Sequence, residues 1–273
     1  MNTRSGRVVL VTGASSGIGE ACARHLAGRG FRVFGTSRRA ADGEAEGGVE
    51  MVPMDVDSDA SVRTAVELLL ERAGRIDAVV NNAGWALAGA VEDTTPDEVR
   101  AQIETNLLGV WRVCRAVLPS MRAAGRGHIV NVGSIGGRVG LPFQAAYSAS
   151  KFAVAGFTEA LSGEVKPFGI HAVLVEPGNY RTGITATRRL ATGTGGSAYA
   201  APFAKALAVV EHDEHGGADP AQVARLVGRI LDTRSPRLRY MVGPAFERFA
   251  AAGKSVVPGR LFERIVMRLY GIG

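Results

Sequence analysis

The sequence is poor in cysteine, in aromatic residues and in long apolar runs, and each shortage excludes a class of protein. It contains 2 cysteines in 273 residues, and aromatic residues make up 6%. The isolated Cys22 and Cys114 predict free thiols in a reducing cytosol, not a disulfide-built secreted domain. No uncharged apolar stretch approaches the roughly 18 residues of a membrane-spanning helix, and the polar N-terminus lacks a signal-peptide pattern. We therefore expect a cytoplasmic protein without a transmembrane segment.

The basic charge of the chain does not form a nucleic-acid-binding pattern. The formal net charge is +6, but the basic residues are dispersed in pairs such as Arg38-Arg39 and Arg188-Arg189. No basic stripe interleaved with aromatic residues and no zinc-finger or helix-turn-helix pattern is present. We expect no nucleic-acid partner, and a solvated surface with one or two arginines available to an anionic ligand.

A mixture of imidazoles and carboxylates at Glu211 to His215, "EHDEH", resembles a set of metal ligands. The chemistry developed below supplies its proton from a tyrosine and needs no metal. We interpret this segment as a solvated polar loop and predict no metal site.

Short β-branched runs alternate with longer amphipathic patterns along almost the whole chain. This alternation predicts right-handed crossovers and a parallel sheet covered on both faces. The expected fold is α/β, a Rossmann-type doubly wound seven-stranded parallel sheet in a single domain spanning residues 1–273. The predicted strands begin at Val8, Arg32, Val49, Ile76, His128, Ile170 and Leu238.

Two segments interrupt the alternation. Residues 182–218 are rich in small residues, and a connection of that length predicts a substrate lid or a helical insertion. Residues 244–273 form a C-terminal extension whose amphipathic helix could pack on the domain, on a second subunit or on a membrane surface. Packing on protein is the expectation. The apolar stripe of that helix comprises Leu261, Phe262, Ile265, Val266 and Leu269.

A glycine turn, "VTGASSGIGE", follows the first strand and opens the first helix. The glycines permit a tight turn, close approach of the backbone to a phosphate and close packing of helix on strand. Strand and helix are the context that a dinucleotide-binding turn requires. The candidate cofactor contacts of this turn are Gly13, Ser15, Ser16, Gly17, Ile18 and Gly19.

The end of the second strand indicates which dinucleotide is bound. An acidic residue there would bind the ribose hydroxyls and repel a 2′-phosphate. The chain has Ser37, Arg38 and Arg39 at this place and no acid before Asp42. Because a guanidinium can hold a phosphate through paired hydrogen bonds, we expect NADP(H) as the cofactor.

A tyrosine and a lysine four positions apart, Tyr147 and Lys151, share one face of a predicted helix. Reduction of a carbonyl needs a hydride donor, a proton donor and hydrogen bonds that hold the oxygen. A nearby ammonium favours phenolate and is expected to lower the pKa of Tyr147. Ser134 ends the fifth predicted strand, where open α/β sheets bind ligands, and its hydroxyl could hold the substrate oxygen.

The order and spacing of these motifs resemble those of the short-chain dehydrogenase/reductase family over about residues 5–245. The resemblance is carried by "TGASSGIG", "NNAG" (81–84), Asn106 in "NLLG", Ser134, "YSASK" (147–151) and "PGNYRT" (177–182). The C-terminal extension is similar to that of hydroxysteroid and retinol dehydrogenase-like members.

The resemblance implies roles for individual residues. Tyr147 is expected to act as general acid in reduction and as general base in oxidation. Lys151 would also bind the nicotinamide ribose, and Asn106 would hold a water that connects Lys151 to solvent. A purely structural role of the "NNAG" turn is the alternative for its residues. Further implied cofactor contacts are Asp55, Val56, Asn82, Ala83, Gly84, Pro177, Gly178, Tyr180 and Thr182.

The expected substrate is a hydrophobic ketone or aldehyde, or the corresponding alcohol. Its pocket is predicted from apolar and aromatic residues, and Tyr180 departs from the small aliphatic residue usual at its position. The resemblance also implies a homodimer or homotetramer, formed through the helices that start near Thr95 and Tyr147. Three alternatives stay open: a non-catalytic NADP-binding regulator, a β-ketoacyl or polyketide ketoreductase, and a membrane- or nucleic-acid-associating protein. The predicted pocket residues are Trp85, Val139, Leu141, Phe143, Tyr180 and the lid from Ile184 onward.

Overall fold

The fold is a twisted parallel sheet between two helical layers. The computed structural model describes residues 6–41, 44–183, 187–254 and 256–272. The main sheet has the order β10-β8-β7-β5-β1-β2-β4-β3, and its neighbouring strands are parallel except for β3 and β4. The seven parallel strands confirm the predicted sheet, and the short antiparallel β3 adds an edge strand that was not predicted. The strands are β1 (Val8–Thr12), β2 (Arg32–Ser37), β3 (Glu44–Glu46), β4 (Val49–Pro53), β5 (Ala78–Asn81), β6 (Leu87–Ala88), β7 (Gly127–Val132), β8 (Ile170–Pro177), β9 (Arg189–Leu190) and β10 (Arg239–Val242).

The helices cover both faces of this sheet, because strand side chains alternate between the two. In β1, Val8 and Leu10 join a core with α2, α4 and α5, whereas Val9 and Val11 join one with α1 and α7. Both faces of the strand are therefore buried, as a doubly wound sheet requires. The helices are α1 (Gly17–Ala27), α2 (Asp59–Ala73), α3 (Pro96–Ile103), α4 (Gly109–Ala124), α5 (Ala145–Val165), α6 (Ala200–His215), α7 (Ala221–Asp232), α8 (Ala245–Gly253) and α9 (Gly259–Leu269).

Capping residues set the helix ends that position the site. Thr95 and Glu98 form a reciprocal capping box at the start of α3, and Gly74 ends α2 with φ 71°. One turn of π-helix, Glu104–Leu108, joins α3 to α4. Such turns are frequent at functional sites, and this one carries Asn106.

The segment read as a polar loop is helical, which corrects the prediction. Residues 211–215 form the last turns of α6, and Glu214 is buried against Arg188. The buried carboxylate is paired with an arginine, as buried charges in proteins generally are. Within the described parts of the chain, no group of three ligand-type side chains is arranged to hold a metal ion. None of the described helices combines the length and apolar character needed to span a membrane.

Candidate active site

A cleft of about 850 Å³ opens where the carboxyl ends of the parallel strands meet. Its wall takes residues from the turns that follow β1, β2, β4, β5, β7 and β8, together with α5, α6 and the C-terminal extension. This is the edge at which open α/β sheets bind ligands. The glycine turn, Ser134, Tyr147, Lys151 and the 177–182 turn all lie on this one surface.

The glycine turn has room for glycine only. Gly13 and Gly17 have φ values of 65° and 57°, a region that residues with a side chain rarely adopt. A Cβ atom on Gly19 would lie 2.2 Å from the backbone oxygen of Gly13. The turn therefore leaves its backbone amides and the start of α1 exposed to the cleft, where they can bind a pyrophosphate.

Asn82 supports this turn from below. Its Nδ2 donates to the backbone oxygens of Thr12 and Gly13 at 3.1 and 3.2 Å. The amides of Asn82 and Ala83 in turn donate to the Thr12 hydroxyl at 2.9 and 3.0 Å. The "NNAG" segment thus has the structural role, and Asn82, Ala83 and Gly84 also line the cleft.

Arginines line the cleft at the end of β2, where we predict the adenosine of the cofactor. Ser37, Arg38 and Arg39 line the cleft beside Asp55 and its neighbours Val56 and Asp57. Burial raises the pKa of Asp57, and the nearby Arg38 guanidinium opposes that shift. In the described residues, no hydrogen bond to another protein group engages the Arg38 side chain, which is exposed. It can therefore bind an anion.

Ser134 and Tyr147 meet at the opposite end of the cleft. Ser134 caps a short 3-10 turn, Ile135–Gly137, and its Oγ accepts a hydrogen bond from the Gly136 amide at 2.9 Å. A Cβ atom on Gly136 would lie 3.2 Å from Cε1 of Tyr147. The Ser134 hydroxyl lies near enough to the Tyr147 phenol to lower its pKa, and a larger residue at position 136 would press against the Tyr147 ring.

The pKa of Tyr147 is raised, contrary to the prediction from its lysine neighbour. Burial is the main cause, while the hydrogen bond to Ser134 and the charge of Arg188 oppose it. Lys151 points its Nζ at the backbone oxygen of Val132, 3.0 Å away, and lies 5.9 Å from the centre of the Tyr147 ring. Burial lowers the pKa of Lys151 to about 8, and its charge is not among the groups that shift the pKa of Tyr147.

Asn106 is buried behind this pair and fixes its surroundings. Its Nδ2 donates to the Ser150 hydroxyl at 3.0 Å and to the backbone oxygen of Trp85 at 3.1 Å. Its Oδ1 accepts from the Trp85 amide at 3.1 Å. A Cβ atom on Gly84 would lie 2.9 Å from that oxygen. Asn106 thus joins α5 to the turn after β5, and its predicted link to Lys151 through a water stays a prediction.

The turn after β8 brings the predicted nicotinamide contacts into the cleft. Pro177, Gly178, Tyr180 and Thr182 all line it, and a Cβ atom on Gly17 would lie 3.2 Å from Cβ of Thr182. The Tyr180 ring is buried in the core with α1 and α7. This burial raises the pKa of the Tyr180 hydroxyl to about 12. Tyr180 is therefore largely a core residue, although it also lines the cleft.

The substrate end of the cleft is only partly as predicted. Trp85 and Leu141 line it, and the Arg189 guanidinium stacks over the Trp85 ring at 4.3 Å. Phe143 packs instead against Phe203 of α6, at 5.6 Å between ring centres. Its backbone has φ 60° at the bend before α5. Val139 is buried outside the wall, and Ile184 lies outside the described residues.

Charged groups at this end of the cleft were not predicted from the sequence. Asp213, Glu214 and Tyr270 line the cleft, and Glu214 forms a buried ion pair with Arg188. Within the described residues, Nε and Nη1 of Arg188 have no hydrogen-bond partner. The only sequence signal was the mixed "EHDEH" segment, whose partner arginine is 26 residues earlier.

The cleft fits a nicotinamide dinucleotide along its whole length. The tight glycine turn can take the pyrophosphate, the arginines the adenosine end, and Lys151 with the 177–182 turn the nicotinamide end. Ser134 and Tyr147 then flank the place of a reacting carbonyl. The arrangement can hold a carbonyl oxygen and deliver a proton to it.

Comparisons with known proteins identify the family. A family model described as short chain dehydrogenase matches residues 7–192, and the chain belongs to this family. It is 42% identical over 267 residues to a protein of Bacteroides thetaiotaomicron named 3-ketodihydrosphingosine reductase, covering 97% of this chain and 98% of that one.

Solved structures agree with this family and its fold. A short-chain dehydrogenase from Streptomyces avermitilis matches with a TM-score of 0.83 at 35% identity, covering 97% of this chain and 98% of that one. A metagenomic short-chain oxidoreductase in complex with NADP matches with a TM-score of 0.68 at 30% identity, covering 87% of this chain and 97% of that one. Similar structures include complexes with NADH as well as with NADP. The protein is therefore a short-chain oxidoreductase of the class that uses a nicotinamide cofactor and acts on CH–OH and C=O groups.

Proposed function

We propose that the protein is an NADP(H)-dependent reductase of hydrophobic ketones or aldehydes, with Tyr147 as the general acid. The observation that carries this proposal is that Ser134, Tyr147 and Lys151 line the same cleft as the glycine turn. The bound cofactor supplies the hydride. Ser134 holds the substrate oxygen, and the Tyr147 hydroxyl donates a proton to it as its negative charge develops.

The raised pKa of Tyr147 suits the direction of reduction. A phenol that stays protonated at neutral pH is present as the acid form, which is the form that donates. Lys151 has a pKa of about 8, so its ammonium can release a proton near neutral pH. That proton can return to the tyrosine through the ribose and water contacts that the family resemblance implies. Oxidation of the alcohol would instead need the phenolate, which burial disfavours.

The preference for NADP(H) is supported by Arg38 and Arg39. Both side chains are exposed beside the cleft where a ribose 2′-phosphate would lie. Two guanidinium groups attract a dianionic phosphate, whereas the ribose of NAD offers only neutral hydroxyls. Binding of NADPH and NADH, titrated separately by nucleotide fluorescence, tests this part of the proposal.

The substrate we favour is a long-chain ketone with a neighbouring amine, as in 3-ketodihydrosphingosine. Trp85, Leu141 and Val210 provide an apolar wall, and Asp213 places a carboxylate at the same end. That carboxylate favours a protonated amine close to the ketone. The similarity to a relative of that name over 97% of the chain supports the same class.

The test compares matched ketones with NADPH. Initial rates are measured for 3-ketodihydrosphingosine, its N-acetyl derivative and a long-chain 3-ketone without the amine, with β-ketoacyl thioesters and steroid ketones alongside. We expect the free amine to give the highest kcat/KM. A preference for the thioester would instead identify a ketoacyl reductase, and tight NADPH binding with no turnover of any ketone would identify a regulator.

We further propose a cytoplasmic homo-oligomer. The thiols of Cys22 and Cys114 are free and buried, which suits a reducing compartment. Leu108, Trp111 and Phe152 are exposed on the α4 and α5 side of the domain, where family resemblance places the subunit contact. Sedimentation equilibrium of the wild-type protein and of Trp111→Glu tests this assembly, which we expect the substitution to weaken.

A further inference from the structure

The C-terminal extension contacts two turns of the active site at once. Helix α8 packs against the turn Ile135–Gly137, which directly follows Ser134. It also reaches the turn after β8 that carries the predicted nicotinamide contacts. The extension therefore lies where the geometry between Ser134 and the cofactor is set.

Glu247 of α8 makes the central contact. Its Oε2 accepts a hydrogen bond from the Asn179 amide at 2.9 Å, and its Oε1 accepts one from Nδ2 of Asn179 at 3.1 Å. One carboxylate thus holds the main chain and the side chain of the same residue. Hydrogen bonds to an ionised acceptor are among the stronger ones in proteins. Glu247 does not line the cleft, so it acts on the site through the turn.

The neighbouring glycine shows how closely this carboxylate approaches the turn. A Cβ atom on Gly178 would lie 1.8 Å from Oε2 of Glu247 and 3.1 Å from Cδ1 of Ile135. Helix α8, the turn after Ser134 and the turn after β8 therefore meet at one point. Glycine at 178 is required here by the extension as well as by the cofactor.

A second set of contacts ties the same two turns together. Arg138, just past the Ser134 turn, donates through Nε and Nη2 to the two carboxylate oxygens of Glu176 at 2.8 Å each. Glu176 is fully buried and directly precedes Pro177. The extension adds a contact on the same side, because Nζ of Lys254 donates to the Arg138 backbone oxygen at 2.7 Å.

We infer that the C-terminal extension is a brace for the cofactor site, with Glu247 as the positioning residue for the nicotinamide-binding turn. This inference rests on the proposed placement of the cofactor. The carboxylate fixes the conformation of the Pro177–Thr182 turn before the cofactor arrives, so binding does not have to order it. Loss of the brace should weaken nicotinamide cofactor binding while leaving the sheet intact.

The test measures cofactor binding and amide exchange, neither of which depends on turnover. NADPH and NADH are titrated by fluorescence into the full-length wild type, Glu247→Ala, Glu247→Gln and a control, Glu263→Gln, on the exposed face of α9. We expect Glu247→Ala to raise the Kd of the preferred cofactor by roughly tenfold, because it removes both hydrogen bonds that hold Asn179. Glu247→Gln keeps a neutral acceptor, so its Kd should lie between those of the wild type and Glu247→Ala. The Kd of the control should equal that of the wild type.

Hydrogen exchange supplies a readout that does not involve the cofactor. The Asn179 amide should exchange faster in Glu247→Ala than in the wild type without ligand, while the amides of β8 stay protected. Equal exchange rates would show that the brace is absent. Faster exchange with an unchanged cofactor Kd would show that the turn is held but not for cofactor binding. Either result overturns the inference, and neither bears on the proposed carbonyl reduction.

A paired substitution guards against a trivial folding defect. Gly178→Ala should weaken cofactor binding through its collision with Glu247, and Gly178→Ala combined with Glu247→Ala should weaken it by less than the two effects together. Thermal unfolding of each variant identifies any that has lost its fold. Strict additivity of the two effects would mean that the residues do not act on each other, against the inference.

Discussion

The ammonium group of Lys151 donates a hydrogen bond to the backbone oxygen of Val132 at 3.0 Å. Val132 is the last residue of β7 and lies two positions before Ser134. Lysine and serine are therefore positioned by the same strand end, although they are 17 residues apart in sequence. Their separation is set by the sheet and does not depend on a flexible loop.

Lys151 is expected to make stability depend on pH in the alkaline range. Burial lowers its pKa to about 8, so above that pH the folded protein has released a proton that the unfolded chain keeps up to about 10.5. Unfolding then takes up a proton, and the free energy of unfolding rises with pH by at most about 1.4 kcal/mol per unit. Urea unfolding from pH 7 to 10 measures this rise in the free energy of unfolding.

Lys151→Met is the matched comparison, since methionine fills similar space without charge. As pH rises through 8, the free energy of unfolding of the wild type should increase relative to that of the variant. A difference that is constant over this range would mean that the ammonium is not desolvated in the folded protein.

Replacement of Tyr147 by Phe should remove turnover and spare cofactor binding. The ring still fills its place on α5, but no hydroxyl remains to give the proton, which is worth about 10²- to 10⁴-fold in rate. Stopped-flow measurement of NADPH oxidation and fluorescence titration of NADPH separate the two effects. Activity within a few-fold of wild type would remove Tyr147 from the mechanism.

Reversal of charge at Arg38 should change the cofactor preference. In Arg38→Asp, a carboxylate repels the 2′-phosphate and can accept hydrogen bonds from ribose hydroxyls, so the ratio of NADPH to NADH affinity should fall by at least about tenfold. Arg63→Asp, a substitution in α2 outside the cleft lining, controls for the change in net charge. An unchanged ratio in the Arg38 variant would contradict the assignment of NADP(H).

Removal of Arg188 should destabilise the fold strongly. The side chains of Arg188 and Glu214 are 2% and 8% exposed, so Arg188→Met removes the arginine of a buried ion pair. Such losses cost about 3–5 kcal/mol. The double variant Arg188→Met/Glu214→Leu should recover most of this stability in urea unfolding. If the single variant were as stable as the double one, the ion pair would be exposed in solution.

The sequence by itself determined the sheet and the candidate catalytic motif, because both depend on local pattern. Alternating β-branched runs specify buried parallel strands, and the capping box at Thr95 and glycine at 74 mark helix ends through local hydrogen bonds. Tyr147 and Lys151 share a helix face by spacing alone. The glycine turn was equally local, since its backbone conformation excludes other residues.

Only the tertiary structure decided the electrostatics and the substrate end. The pKa of Tyr147 depends on burial and on Arg188 and Glu214, which reach it from a segment and a helix far along the chain. Phe143 lies at a local bend and packs against a partner on α6, outside the predicted pocket. The contact of Glu247 with Asn179 spans 68 residues. Contacts between distant segments follow no period in the sequence, so packing alone brings these groups together.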